Sequence, residues 1–203
     1  MWFLWPLLVA LAGCAAPLVG PVVSPLGMAV TAGATGGTWT MQDRGFEGAV
    51  SDNALAIAIN DAWLQRDPAI FRKVSTGIVN GRVLLTGTVL YPATRDAAVE
   101  AARAVPGVVE LIDEIEVRDD LDLGTMASDR WINTRLRAEL TFTPEISAVN
   151  YSLDTVNGIV FILGVARDAA ELERVDAIAR ATPGVRGVVV HVRLASEKAI
   201  AAQ

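Results

Sequence analysis

The run Asn80-Gly81-Arg82-Val83-Leu84-Leu85-Thr86-Gly87 returns 77 residues later as Asn157-Gly158-Ile159-Val160-Phe161-Ile162-Leu163-Gly164. An Asn-Gly pair between two β-rich runs marks a two-residue hairpin, because both turn positions need positive φ. Two such hairpins at a fixed offset make the chain a tandem repeat, and a repeat constrains the fold before any single element does.

The same offset carries residues 51–117 onto 128–194 without a gap. Ser51-Asp52 falls on Ser128-Asp129, Ala102-Arg103-Ala104 on Ala179-Arg180-Ala181, and Pro106-Gly107-Val108 on Pro183-Gly184-Val185. In each copy Ser-Asp reads as an N-cap. The helix after it carries Leu55, Ile59 and Ala62, or Ile132, Leu136 and Leu140, at the spacing of a buried stripe. A break follows at Asp67-Pro68 or Thr143-Pro144. A strand then alternates through Val74, Thr76 and Ile78, or Tyr151, Leu153 and Thr155. The Asn-Gly turn returns it as a second strand, closed by Gly87 or Gly164. A second helix starts near Pro92, a residue suited to the first helical turn, and its equivalent is Ala169 to Ala181. Pro-Gly stops each, and a last strand runs through Leu111, Ile115 and Val117, or Val188 to Leu194.

Each unit is therefore αββαβ, an α+β module of two helices on one face of a three-stranded mixed sheet. The last two strands, joined through a helix, are placed to pair in parallel. A unit of about 67 residues buries only a modest core, which favours the copies packing on each other. The expected organisation is 49–118 for the first module, 119–127 for an Asp-rich linker, 128–195 for the second and 196–203 for a tail.

The chain begins differently. Its first 37 residues contain no Asp, Glu, Lys or Arg. Residues 1–13 hold a short apolar stretch, too short to span a bilayer as a mature helix. They end in Leu11-Ala12-Gly13 before Cys14, the only cysteine of the chain. This resembles the lipobox of bacterial lipoproteins, which implies cleavage before Cys14 and acylation of its thiol; the alternative is an ordinary signal peptide followed by a free or buried cysteine. Ala15 after the cysteine resembles the sorting pattern that favours the outer membrane. Residues 14–48, dense in Gly and Pro, read as a flexible tether reaching about 30 Å.

Several chemistries have no support. A net charge of −6 argues against a nucleic-acid partner. His191 is the single histidine and reads as an exposed residue of the last strand, so no metal set or catalytic triad is expected. No Gly-x-Gly-x-x-Gly or Walker motif is present, and no cofactor is expected. The acidic group Asp113, Glu114 and Glu116 reads as a solvated face.

Together, the capped helix, the Asn-Gly-x-Val-x-x-x-Gly hairpin, the Ala-rich helix and the Pro-Gly-Val strand resemble the BON domain. Two copies behind a lipobox are similar to the dual-BON outer-membrane lipoproteins of Gram-negative bacteria. The resemblance implies a non-enzymatic protein on the periplasmic face of the outer membrane, binding anionic phospholipid and supporting membrane integrity. It also points to the first helix of the second module as the lipid contact and to Trp131 within it. Arg130, Ile132 and Arg135 are the accompanying candidates.

The residues alone point the same way. Trp131, Arg135 and Ala138 share a helix face, and their counterparts in the first copy are Ala54, Ala58 and Asp61. Indole suits a headgroup zone and guanidinium pairs with phosphate. The first copy carries seven Lys/Arg against nine Asp/Glu and the second eight against eight, a small difference in the same direction. Packing of Trp131 between the domains, or against Met126, is the competing reading. A protein-interaction adaptor docking an envelope partner is the competing function.

Overall fold

The structure, a computed structural model, describes residues 45–119 and 123–196. Cys14, the apolar leader and most of the expected tether and tail lie outside these residues.

The first module runs α1 (Gly45–Arg66), α2 (Pro68–Lys73), β1 (Val74–Val79), β2 (Arg82–Val89), α3 (Pro92–Arg103) and β3 (Glu110–Val117). The second runs α4 (Leu123–Phe142), a 3-10 turn (Ala148–Asn150), β4 (Tyr151–Val156), β5 (Ile159–Ala166), α5 (Ala169–Ala181) and β6 (Gly187–Leu194). In each sheet the hairpin is antiparallel and the third strand lies parallel to the second, so β2 and β5 are central. The α+β modules expected from the repeat are the fold observed. One addition is α2, capped by Asp67, whose carboxylate accepts from Ala69 N at 2.8 Å.

The Ser-Asp pairs differ from expectation. Helix α1 starts at Gly45 and α4 at Leu123, so Asp52 and Asp129 lie inside helices rather than capping them. No proline stops either helix from extending upstream, into the segments expected as tether and linker. Both carboxylates serve a different purpose. Asp52 accepts from Asn80 N at 2.8 Å and Gly81 N at 2.9 Å, and Asp129 accepts from Asn157 N and Gly158 N at 2.7 Å each. The turns themselves are as expected: Asn80 and Asn157 have φ of 55° and 52°, followed by Gly81 and Gly158 at 73° and 75°. Gly87 is required by crowding as well as by φ, since a Cβ there would sit 2.2 Å from the Lys73 carbonyl oxygen.

Each sheet is buried on both faces. On one face Leu55, Ile59 and Trp63 of α1 and Ala98 and Ala102 of α3 meet Val83, Leu85 and Ile115. Ile132, Leu136 and Leu140 of α4 meet Val160, Ile162 and Val175 in the second module. The opposite faces meet each other. Val79, Leu84, Val156, Phe161 and Leu163 form a third apolar cluster between the sheets. The two modules are thus layered as helices, sheet, sheet, helices.

Polar groups rim that junction. His191 Nε2 lies 2.9 Å from Glu114 Oε1, and Arg82 Nη1 donates to the His191 carbonyl at 2.9 Å. Asn157 Nδ2 donates to Glu116 Oε2 at 2.6 Å, and Arg193 Nη2 to Glu110 Oε2 at 2.8 Å. His191 is therefore partly buried between the modules, not an exposed strand residue. The acidic group of β3 is likewise engaged: Asp113 pairs with Arg95 at 2.9 Å, and Glu114 and Glu116 reach the second module.

Candidate lipid-facing surface

Helix α4 divides its residues by periodicity. The spacing 129, 132, 136, 140 faces inward, and 131, 135, 138, 142 faces out. Ile132 is 0% exposed. It is a core residue and offers no surface to a lipid, which corrects its placement among the candidate contacts. The other three candidates, Arg130, Trp131 and Arg135, are exposed.

Trp131 is 51% exposed and stands outside the apolar cluster that joins the modules. The guanidinium of Arg135 lies over its ring, 5.5 Å from the centroid. Such stacking fixes the indole without covering it and holds the cation beside it. Arg135 Nη2 also lies 3.3 Å from Glu139 Oε1, one turn on.

The stripe continues beyond the residues singled out from sequence. Phe142, 83% exposed, is the most exposed of the large apolar side chains described. It stands eleven residues after Trp131, about 16 Å along the helix. Its counterpart in the first copy is Gln65. The helical spacing that grouped Trp131, Arg135 and Ala138 reaches Phe142 when carried one turn further. The outer face of α4 thus ends in an aromatic at each end, with the Arg135–Glu139 pair between them, while Arg130 and Arg137 lie on the neighbouring side of the helix, turned toward the junction of the modules.

At the base of α4, Asp129 faces a cavity between the modules, of about 230 Å³. Arg72, Lys73 and Arg130 line it together with Asn133, Asp154 and Thr155. Burial pushes the Asp154 carboxyl above its ordinary value, partly offset by hydrogen bonds from the Thr86 hydroxyl and the Thr155 backbone. Elsewhere in the second module, burial would raise Glu171 too. The amides of Ser147 and Arg167 and the Arg167 guanidinium, at 2.8–2.9 Å, instead hold it below the usual range. Among the described residues no group of three or more His, Cys, Asp or Glu is placed to hold a metal ion. Nor is any described helix long and apolar enough to cross a membrane.

Comparison with known proteins follows the same two units. The BON domain matches residues 52–119 and again 128–196. A protein of Anaplasma centrale, named only as an uncharacterized protein in the gshII 5'region, is 36% identical over 150 residues, covering 73% of this chain and 98% of its own. The 21 kDa hemolysin of Actinobacillus pleuropneumoniae is 30% identical over 62% of this chain and 63% of its own. The outer membrane lipoprotein DolP of Haemophilus influenzae is 28% identical over 69% of this chain and 72% of its own. With the domain matched twice, over the same αββαβ units that the structure shows, the chain belongs to the BON domain family.

Proposed function

We propose that this chain is a non-enzymatic protein of the bacterial envelope, anchored through Cys14 at the periplasmic face of the outer membrane. It lays the outer face of α4 on anionic phospholipid and so supports membrane integrity. The observation that carries the reading is the exposed stripe Trp131–Arg135–Ala138–Phe142, aromatic at both ends and cationic between. The name of the DolP relative, an outer membrane lipoprotein, supports the location.

The magnitudes suit an assisted contact. A fully buried large apolar side chain contributes about 1.5–3 kcal/mol, and each Arg near an anionic surface about 1 kcal/mol. Two aromatics that are already partly covered, with the one arginine of the stripe paired to Glu139, give on the order of 3–4 kcal/mol. That corresponds to a dissociation constant of roughly 10⁻² to 10⁻³ M. Such a contact is weak in free solution, yet it is well occupied when an acyl anchor keeps the domain near the membrane.

The test is co-sedimentation of the full chain carrying Cys14→Ser with phosphatidylglycerol or cardiolipin vesicles. Binding that falls on Trp131→Ala and on Phe142→Ala supports the reading. Absence of binding, or binding indifferent to both changes, overturns it and leaves the adaptor function.

A further inference from the structure

The third strands of the two modules are equivalent by sequence and unlike in charge. The row of β3 turned to the junction is Glu110, Ile112, Glu114 and Glu116, and the matching row of β6 is Gly187, Val189, His191 and Arg193. One row holds three carboxylates, the other a histidine and an arginine. The two rows bond to each other. Glu114 Oε1 lies 2.9 Å from His191 Nε2, and Glu110 Oε2 accepts from Arg193 Nη2 at 2.8 Å. Glu110 also accepts from Arg82 Nε at 2.7 Å, while Arg82 Nη1 donates to the His191 carbonyl. Glu116 accepts from Asn157 Nδ2 at 2.6 Å and has Arg118 at 3.8 Å. The Glu114 and His191 side chains are only 31% and 23% exposed, so water screens them less than it would a surface pair.

The two-fold character of these contacts fixes what any other pairing would meet. Glu114 bonds its own equivalent, His191, and Glu110 bonds Arg193, the equivalent of Glu116. Two first modules joined in this way would put Glu114 against Glu114, and Glu110 against Glu116 at both ends of the contact. Two second modules would set His191 against His191 and Arg193 against Gly187. They would also lose the bond from Arg82, because Ile159 stands at the equivalent position. Asp154 adds to the difference. Its carboxylate accepts from the Thr86 hydroxyl across the junction. The equivalent of Thr86 is Leu163, so two second modules would bury each Asp154 against a leucine. Like charges brought together oppose association, and a buried charge without a partner opposes it more. The apolar cluster makes no such choice, since Val79 and Val156, and Leu84 and Phe161, are equivalents of one another.

We infer that the inner sheet face of each module is a selective interaction surface whose partner is the unlike module, of the same chain or of a second copy. The apolar cluster supplies the contact. The rows of β3 and β6, together with Asp154, choose the partner and keep like modules apart. The surface is separate from the outer stripe of α4 and does not depend on it.

Two double variants of the full chain test it. His191→Glu with Arg193→Glu sets carboxylates against Glu114 and Glu110. Glu110→Arg with Glu114→His sets arginine against Arg193 and histidine against His191. Each melts roughly 5 °C or more below the parent at pH 7. Acidification toward pH 4 narrows the gap for the first variant, whose facing carboxylates take up protons, and does not narrow it for the second, whose facing histidines gain charge. All four substitutions in one chain reverse both pairs and return the melting temperature toward that of the parent. Mixed one to one, the two double variants exchange modules, which builds one native junction and one reversed junction. Analytical ultracentrifugation then shows a complex of two chains that neither variant forms alone. The proposal is overturned if the fourfold variant melts no higher than the double variants, if pH moves both gaps alike, if either double variant dimerises by itself, or if the mixture sediments as separate chains.

Discussion

Glu114 and His191 occupy the same position in the two repeats and bond to each other, Oε1 to Nε2 at 2.9 Å and 77 residues apart. A residue that meets its own equivalent lies on a two-fold axis, as at the centre of an isologous dimer interface. Val79 and Val156, also equivalent, are together in the apolar cluster around it. The duplicated chain is in this sense a dimer fused into one polypeptide. Phe161 is 3% exposed within that cluster, on the sheet face turned away from its own helices. Phe161→Ala is expected to cost about 3–5 kcal/mol, with the loss falling on the junction. Calorimetry should show the single unfolding transition of the parent dividing into two. A variant that still unfolds as one unit at an unchanged temperature would count against the interface.

The turn that made the repeat visible is held from outside. Asp129 binds both amides of Asn157-Gly158, and Asp52 does the same for Asn80-Gly81. Hydrogen bonds to a charged group contribute about 1.5–3 kcal/mol each. Removing the acceptor leaves two amides to find water. Asp129→Ala should therefore destabilise by about 3 kcal/mol or more, seen as a lower urea midpoint. Ser128→Ala should cost under about 0.5 kcal/mol, because Ser128 is exposed within a helix and caps nothing. The opposite ranking would restore the capping role.

Two sets of carboxylates should respond to pH in opposite senses. Asp154 has a folded-state pKa above its ordinary 3.8 because it is buried. Its cost is fully present above the folded value and disappears as pH falls toward 3.8. Asp154→Asn should then stabilise at neutral pH, with an advantage that shrinks on acidification. For Glu171, burial raises the carboxyl, but its hydrogen bonds from Ser147 and Arg167 outweigh that and leave it below 4.5. Its contribution is fully present above 4.5 and is lost as pH falls through the folded value. Glu171→Gln should destabilise at neutral pH, and the difference should close only in acid. Unfolding curves of both variants between neutral pH and pH 3 provide the check.

What the sequence disclosed was local. A two-residue hairpin turn needs positive φ at both central residues and Asn-Gly tolerates it, so the hairpins and their register could be read without tertiary information. Ser-Asp is ambiguous, because the same carboxylate can cap its own helix or reach a turn 28 residues away, and only the fold decides. The sheet-to-sheet junction left a trace that alternation obscures. Val83-Leu84-Leu85 and Val160-Phe161-Ile162-Leu163 are continuous apolar runs, the mark of a strand buried on both faces, and each hid an interface behind a hairpin. Ile132 shows the limit of adjacency. It neighbours Trp131 in sequence, but one step along a helix turns it about 100°, from the outer face into the core.

The layered arrangement allows a gain of function that mutation to alanine cannot provide. In the first repeat the positions matching Trp131, Arg135 and Phe142 are Ala54, Ala58 and Gln65, all exposed on α1. Replacing them as Ala54→Trp, Ala58→Arg and Gln65→Phe copies the outer stripe of α4 onto α1 without touching Leu55, Ile59 or Trp63 in the core. Stability should change little, since the three sites are exposed. The two stripes would then lie on opposite outer layers of the helix–sheet–sheet–helix stack, so one flat membrane cannot engage both. The expected result is not tighter binding to a single vesicle but bridging of two, read as turbidity of phosphatidylglycerol vesicles that the parent chain leaves clear. High salt should reverse it, because the arginine contribution is screened over about 10 Å at 0.1 M. Clear suspensions with the triple variant, at concentrations where the parent co-sediments, would show that the stripe alone is not sufficient for lipid contact.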